Sequence, residues 1–167
     1  PNSELLIKNI GINETRDGII RVAKAMGGKL TLLNEHIACG EKVADILVKH
    51  SELNGTTIEG EIIPTLIDEL PVIAILASHA KGQTVIKDAA ELKVKECNRI
   101  DAVTKNLSAM GADIKATDDG FIINGNCELH SATIETFHDH RIAMSFAIAD
   151  LVAEGKNVYD HSECVNI

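Results

Sequence analysis

Residues 68–80 read DELPVIAILASHA, an acidic start followed by an apolar run that ends shortly before Gly82. A second run of this kind, DHRIAMSFAIADLVA, spans residues 139–153 and ends shortly before Gly155. Pro71 lies in the first turn of the earlier run, where a helix does not need its missing N–H. Helices that are apolar nearly all the way round are usually buried on all sides. The sequence therefore predicts two buried helices, each opening on an aspartate.

Two further helices are predicted to be amphipathic, at about Thr15–Met26 and Glu96–Met110, because apolar residues recur on one stripe and a glycine follows. The end of the first, Ala25-Met26-Gly27-Gly28, returns as Ala109-Met110-Gly111-Ala112 at the end of the other. Each copy precedes strand-like runs and then an apolar helix, which indicates an internal repeat. We expect strands outside and helices inside.

Strand-like runs separate the predicted helices. They are Leu5–Ile10, Lys29–Leu33, Lys42–Lys49, Thr57–Ile62, Thr84–Lys87, Leu92–Lys95, Asp113–Ala116, Phe121–Ile123, Ala132–Ile134 and Asn157–Tyr159. Asp118-Asp119-Gly120 and Asn124-Gly125 are typical of hairpin turns.

Composition excludes several classes of protein. The 167 residues fit one domain, and no run of apolar residues is long enough for a membrane span. A net charge of -9 and 2% aromatic residues argue against a nucleic-acid surface. The four cysteines form no C-x-x-C pair, which favours reduced thiols in the cytoplasm over disulfides or zinc. A start at Pro1 without a leader predicts a piece excised from a longer protein.

Positive charge is nevertheless concentrated in one part of this acidic chain. The basic residues there are Lys81, Lys87, Lys93, Lys95, Arg99 and Lys105, with His79 beside them. A small anionic ligand would require such a concentration, although a solvated helix face balanced by Glu and Asp is the alternative.

Glu91-Leu92-Lys93-Val94-Lys95 alternates strictly, which predicts a strand with Leu92 and Val94 facing the core. Glu96 would then open a helix, with Arg99 three residues on and on the same side. A carboxylate is stabilised near a helix N-terminus. A plain cap with a surface Glu–Arg pair is the alternative interpretation.

His138-Asp139-His140-Arg141 precedes the second apolar helix. The two histidines suggest a metal, but no cysteine or second carboxylate lies at ligand spacing, so we expect none. Arg141, if buried there, needs an anionic partner, because an unpaired buried charge is very costly. A ligand carboxylate or phosphate is one candidate partner, and a structural aspartate such as Asp139 is the other. Asp68 starts the other apolar helix, where simple N-capping is an alternative to a chemical role.

Taken together, these motifs resemble the C-terminal half of the 3-phosphoshikimate 1-carboxyvinyltransferase (EPSP synthase) family. The resemblance rests on Ile63-Pro64, Asp68-Glu69-Leu70-Pro71, Glu91 to Glu96 with Arg99, Ala109-Met110-Gly111-Ala112, Asp119-Gly120 and Asp139-His140-Arg141-Ile142-Ala143-Met144, and it covers essentially the whole chain. It implies an inside-out α/β barrel-like domain of repeated βαβαββ units, present here in part. Residues 1–167 would be most of the C-terminal domain, with units near 1–85 and 86–167 and the N-terminal domain missing.

The resemblance also implies an activity and residue roles. The family transfers the enolpyruvyl group of phosphoenolpyruvate to the 5-hydroxyl of shikimate 3-phosphate and releases phosphate, in chorismate and aromatic amino-acid biosynthesis. Asp68 would accept a proton and Glu96 would donate one. Asp68 and Lys95 would contact shikimate 3-phosphate. Arg99 and Arg141 would bind phosphoenolpyruvate, and His140 would orient Glu96. No metal or cofactor is implied.

The chain departs from the family pattern in three places. Asn98 stands where the family usually has Asp, a change that we expect to be structural. Asn166-Ile167 offers no counterpart of a phosphate-binding Lys found near the end of some members, and the sequence stops just where a Ser-Phe-Pro tail is expected. The partners implied are the two substrates and the missing N-terminal domain. Because that domain would supply the rest of the active site, the chain should be inactive alone. The alternatives are a UDP-N-acetylglucosamine enolpyruvyl transferase domain and a non-catalytic module that kept the fold.

Overall fold

The computed structural model describes residues 2–165, so the prediction made on Asn166 and Ile167 lies outside the described residues. The strands are β1 Glu4–Gly11, β2 Lys29–Ala38, β3 Glu41–Lys49, β4 Thr57–Ile58, β5 Gln83–Ile86, β6 Asp113–Ala116, β7 Phe121–Asn124, β8 Thr133–Ile134 and β9 Val158–Tyr159. The helices are α1 Gly18–Ala25, α2 Leu70–His79, α3 Arg99–Ala109 and α4 His140–Ala149. Short 3₁₀ turns span Gly60–Thr65, Ala90–Val94 and Ser162–Val165.

The element order recurs along the chain. Apart from the 3₁₀ turns, α1–β2–β3–β4–α2–β5 is followed by α3–β6–β7–β8–α4–β9. In both runs a short strand pairs in parallel with the strand after the next helix, as β4 with β5 and β8 with β9. The duplicated Met-Gly sequences lie at the same place in each run, at the end of α1 and of α3, with Gly27 and Gly111 at φ +93°.

The described strands form three sheets. Their strand orders are β1-β3-β2, β4-β5-β7-β6 and β8-β9. In β7, Phe121 and Ile123 are buried while Ile122 is only half-buried, so one face of its sheet packs on the core. Helices α2, α3 and α4 contact one another within that core. The expected arrangement of helices inside and strands outside is confirmed.

The core explains the amphipathic helix predictions. Ile100, Val103, Leu107 and Met110 are all at most 1% exposed, as the stripe on α3 predicts. Helix α4 differs from its prediction, because Met144 and Ile148 on one side are 46% and 47% exposed. Burial on all sides is therefore wrong for α4. Among residues 2–165, no helix is both long and apolar enough to cross a bilayer.

The predicted strand at residues 91–95 is wrong. Ala90–Val94 form a 3₁₀ turn in which Leu92 is buried but Val94 is 79% exposed, and Lys95 follows the turn. The Leu92 N–H donates to the Ala89 carbonyl at 3.0 Å. The turn is thus sufficient to bury Leu92 without a strand. With only two apolar residues, Leu92 and Val94, the alternation is weak evidence for a strand.

Helix boundaries were also displaced. Helix α3 begins at Arg99 and not at Glu96, because the Asn98 side chain accepts from the N–H groups of Ile100 and Asp101 and caps the helix. Helix α2 begins at Leu70, two residues after Asp68, so the N-capping alternative for Asp68 is wrong.

Of the two predicted hairpin turns, the structure has one. Asp118-Asp119-Gly120 joins β6 to β7, which pair with each other. Asn124-Gly125 follows β7, but the next described strand, β8, pairs with β9 and not with β7.

Candidate functional site

A buried arginine lies where α3, α4 and the segment before α2 meet. Arg99 is the first residue of α3, and its side chain is 2% exposed. Its Nε donates to Asp139 Oδ2 at 2.8 Å, and Nη2 donates to Asp139 Oδ1 at 3.2 Å. Nη2 also reaches Glu96 Oε2 at 2.6 Å, and Nη1 reaches Asp68 Oδ1 at 3.1 Å. One guanidinium therefore holds three carboxylates from three parts of the chain.

Asp139 is fully buried and serves two elements at once. Its Oδ1 accepts from the backbone N–H groups of Arg141 and Ile142, which caps α4. The same carboxylate forms the fork with Arg99, a geometry that suits a planar guanidinium. Burial acts to raise the pKa of Asp139, but the bonds and charge of Arg99 outweigh it and hold that pKa below its ordinary value. Asp139 is thus an ionised structural anchor.

Asp68 lies among four cations. Its side chain is 26% exposed, and it is 3.1 Å from Arg99, 3.7 Å from Lys95, 3.7 Å from Arg141 and 3.8 Å from Arg16. Burial acts to raise the pKa of Asp68, yet the positive charges, led by Arg141 and Lys95, hold it below its ordinary value. Asp68 is therefore an ionised carboxylate that opens partly to solvent, which is the form needed to accept a proton.

Glu96 and His140 face each other across the opening. Glu96 lies before the cap of α3, and its side chain is 48% exposed while one oxygen bonds Arg99. Its other oxygen, Oε1, lies 4.0 Å from Nδ1 of His140, whose side chain is 28% exposed. Because Glu96 precedes the helix and does not begin it, its position depends on the Arg99 bond more than on the α3 dipole.

Lys95 and Arg141 supply partly exposed positive charge beside these carboxylates. The Lys95 side chain is 23% exposed, and its bond to Glu91 raises the pKa of the ammonium. Arg141 is 30% exposed, so it is half-buried, and the fully buried cation considered from the sequence is not what the structure has. Its partners are Glu69 at 3.4 Å and Asp68 at 3.7 Å, whereas Asp139 pairs with Arg99. The structural-aspartate alternative for Arg141 therefore named the wrong aspartate.

The six residues singled out from the sequence thus lie together, and two of them, Asp68 and Arg141, line a cleft between α2 and α4. Asp68, Lys95, Glu96, Arg99, His140 and Arg141 are linked by contacts of 4.0 Å or less. Within the described residues the cations Lys95 and Arg141 are paired only with carboxylates that are themselves partly exposed. Both cations are therefore partly open to solvent beside the ionised Asp68 carboxylate.

Three contributors were not singled out as site residues by sequence reasoning. Arg16 follows β1 and approaches Asp68 from a distant part of the chain. Glu69 contacts Arg141, and Asp139 anchors Arg99. Only Asp139 carried a usable signal, its position just before an apolar helix.

The Cys97 thiol also contacts Asp139, at 3.5 Å. Burial, and after it the negative charge of Asp139, raises the pKa of the Cys97 thiol to about 12, so Cys97 is a poor nucleophile.

Comparison with known proteins identifies the family. A family model described as EPSP synthase (3-phosphoshikimate 1-carboxyvinyltransferase) matches residues 1–167. The chain belongs to the EPSP synthase family. A 3-phosphoshikimate 1-carboxyvinyltransferase of Brevibacillus brevis is 57% identical over 167 residues, which is 100% of this chain and 39% of that protein. One from Oceanobacillus iheyensis is 53% identical with the same coverage.

A solved EPSP synthase structure from Acinetobacter baumannii superposes with a TM-score of 0.94 at 42% identity, covering 98% of this chain and 39% of that one. The expected resemblance and the partial EPSP synthase fold are both confirmed. This chain spans about 39% of the length of the relatives that it matches.

Proposed function

We propose that this chain is part of an enzyme that transfers the enolpyruvyl group of phosphoenolpyruvate to the 5-hydroxyl of shikimate 3-phosphate and releases phosphate. Relatives that match it from end to end carry the name 3-phosphoshikimate 1-carboxyvinyltransferase. The observation that carries the proposal is the meeting of Asp68 and Glu96 on the buried Arg99, with Lys95 and Arg141 beside them.

The reaction is an addition followed by an elimination. In the addition, the attacking hydroxyl loses a proton, and the methylene carbon of phosphoenolpyruvate gains one as the carbon beside it is attacked. In the elimination, the bond to phosphate breaks and the new methyl group returns a proton to the donor, which restores the vinyl group. In our proposal Asp68 accepts the first proton, supported by the cations that keep it ionised. Glu96 donates the second, with His140, 4.0 Å away, orienting it. General acid–base help of this kind is typically worth about 10²–10⁴-fold in rate.

Anion binding falls to the cations of the same cleft. Lys95 contacts shikimate 3-phosphate together with Asp68, and Arg141 binds the carboxylate of phosphoenolpyruvate. Both cations are partly exposed, and besides Asp68 they pair with Glu91 and Glu69, which an anionic ligand replaces. An arginine fork suits a carboxylate because two parallel N–H bonds form.

Arg99 makes a more constrained contact with phosphoenolpyruvate. Its Nη2 already donates to Asp139 and to Glu96, and its Nη1 donates to Asp68. We propose that Asp139 keeps its fork while Glu96 or Asp68 yields one N–H to the substrate. Arg99 thereby links substrate binding to the position of both proton-transfer groups.

The rest of the enzyme completes the site. We propose that residues 1–167 are most of a C-terminal domain, in units near 1–85 and 86–167, which the recurring element order supports. The chain alone is then inactive, because the relatives are about two and a half times as long. A cytoplasmic location remains a prediction, supported by four cysteines that are all unpaired.

A phosphate-release assay tests the proposal. The chain is assayed alone and within the longer protein, with phosphoenolpyruvate and either shikimate 3-phosphate or UDP-N-acetylglucosamine as acceptor. Turnover only by the longer protein and only with shikimate 3-phosphate is the expected result. Turnover with the nucleotide sugar would assign the other enolpyruvyl transferase, and no turnover with either would favour a non-catalytic module. A normal rate from the chain alone would contradict the half-site.

A further inference from the structure

Outside the cleft, two histidines and a carboxylate come together. The rings of His138 and His161 stack with centroids 4.0 Å apart and planes at 29°. His161 Nδ1 lies 2.9 Å from Glu163 Oε1. One ligand atom from each of the three side chains lies within 4.8 Å of the other two. His138 and Glu163 are exposed and His161 is half-buried, so the group is accessible from solvent.

The fold holds the two contributing segments side by side. Strands β8 and β9 pair in parallel with Ile134 opposite Tyr159, so the chain leaves both strands at the same end of the pair. Just beyond them, the backbone N–H and the hydroxyl of Thr136 both donate to Asp160 Oδ1 at 2.9 Å. Thr136 is fully buried. His138 and His161 therefore project from segments that are already fastened together.

The backbone before α4 takes an uncommon conformation at this point. Phe137 and His138 have φ values of +54° and +55°, two consecutive non-glycine residues in the left-handed region. Such residues cost of order 1 kcal/mol or more each and persist where the surroundings over-determine them. The turn sets His138 against His161 and delivers the next residue, Asp139, to Arg99.

We propose that His138, His161 and Glu163 bind a divalent transition-metal ion of the zinc type. Two imidazoles and one carboxylate suit zinc, nickel or copper, whereas magnesium and calcium prefer oxygen ligands alone. Zinc–nitrogen and zinc–oxygen distances are about 2.0–2.2 Å, so donor atoms on one ion lie at most roughly 4 Å apart. The present spread of 4.8 Å or less is slightly wider than this, and the rings are stacked, so binding requires the side chains to rotate until a nitrogen of each imidazole points at the same ion.

The expectation from the sequence was that His138-Asp139-His140 binds no metal. The proposed site takes only His138 from that motif, because His140 turns toward Glu96 in the cleft. Its other ligands lie more than twenty residues later in the sequence, where spacing rules do not find them. A bound ion would cross-link the segment after β9 to the loop before α4.

Zinc binding to the 167-residue chain tests the proposal, measured by isothermal titration in a Cys39→Ser background that removes the exposed thiol. We expect one zinc ion per chain, weaker by roughly tenfold or more in His138→Gln and in His161→Gln. The matched control His50→Gln, an exposed histidine elsewhere on the surface, should bind zinc as the parent does. Magnesium chloride at the same concentrations should give no saturable binding.

Thermal unfolding supplies a second measurement, since a ligand that binds only the folded state raises the melting temperature. Zinc should raise it for the parent and for His50→Gln, and far less for the two cluster variants. The proposal is overturned if no zinc binds at millimolar concentration. It is equally overturned if His138→Gln and His161→Gln bind zinc as tightly as the parent, or if magnesium binds as zinc does.

Discussion

The Arg99 guanidinium lies 2.8 Å from the Asp139 carboxylate, with the two side chains 2% and 0% exposed. This pair joins the first turn of α3 to the N-cap of α4, across 40 residues of sequence. Removing one member of a buried pair leaves an uncompensated charge, which is far more costly than loss of a surface pair. The pair is therefore the structural centre on which Asp68 and Glu96 are arranged.

Asp139→Asn should destabilise the chain by about 3 kcal/mol, because it removes the only fully buried carboxylate among the three that pair with Arg99 but keeps a side chain that caps α4 well. Urea unfolding measures the change. Glu135→Gln is the matched control, since it breaks an exposed pair with Lys105 and such pairs contribute about 0–1 kcal/mol. Equal losses for the two variants would show that Arg99 does not depend on Asp139.

The same carboxylate predicts a pH dependence. The pKa of Asp139 in the folded chain is lowered from its ordinary value, whereas in the unfolded chain it is about 3.9. Its contribution to stability is therefore complete above the unfolded value and is lost as pH falls through the lower folded value. The stability difference between the parent and Asp139→Asn should be constant from pH 7 to 5 and should shrink toward pH 3. Parallel pH profiles for the two proteins would contradict the assignment.

Asn98→Asp, which restores the residue usual in the family, should lower stability in this chain. Both residues cap helices well, but the Asn98 amide donates to Asp101 Oδ2 at 2.6 Å, and a carboxylate there would repel it. The double variant Asn98→Asp with Asp101→Asn should recover the loss, as compared by thermal unfolding. An increase in stability for the single variant would show that the Asp101 contact is unimportant.

Gly125→Ala should destabilise the fold by about 1–3 kcal/mol, because a Cβ would lie 1.8 Å from the Ala80 carbonyl oxygen and backbone must move to admit it. Gly11→Ala is the matched control, since its Cβ would meet nothing within 4 Å. The two variants are compared by their urea midpoints. Similar midpoints would indicate that the loop after β7 relaxes freely.

Much of this arrangement was predictable from the sequence, and the exceptions share a physical cause. The stripe on α3, the Asp118–Gly120 turn and the repeated Met-Gly ends follow from local periodicity and turn chemistry, which neighbouring residues decide. The Glu96–Arg99 pair follows from local spacing, but the buried partner of Arg99 does not, because Asp139 reaches it only through the packing of α3 on α4. The motif at residues 91–95 failed because two apolar residues fit a turn as well as a strand.

The exposed side of α4 shows the same limit. Met144 and Ile148 are apolar but are nearly half exposed in this chain. The amino-acid sequence of α4 shows that this side of the helix is apolar, but it does not show whether other residues pack against that side. The roles of individual cleft residues came from the family resemblance, and the geometry adds that all six lie together.

The measurement that tests the central claim most directly is the turnover of Glu96→Gln in the longer protein. We predict that kcat falls by about 10²–10⁴-fold, the usual worth of a general acid, while KM for both substrates changes only severalfold. Glu61→Gln, an exposed glutamate outside the cleft, should leave both constants unchanged. An unchanged kcat for Glu96→Gln would contradict the proposed half-site.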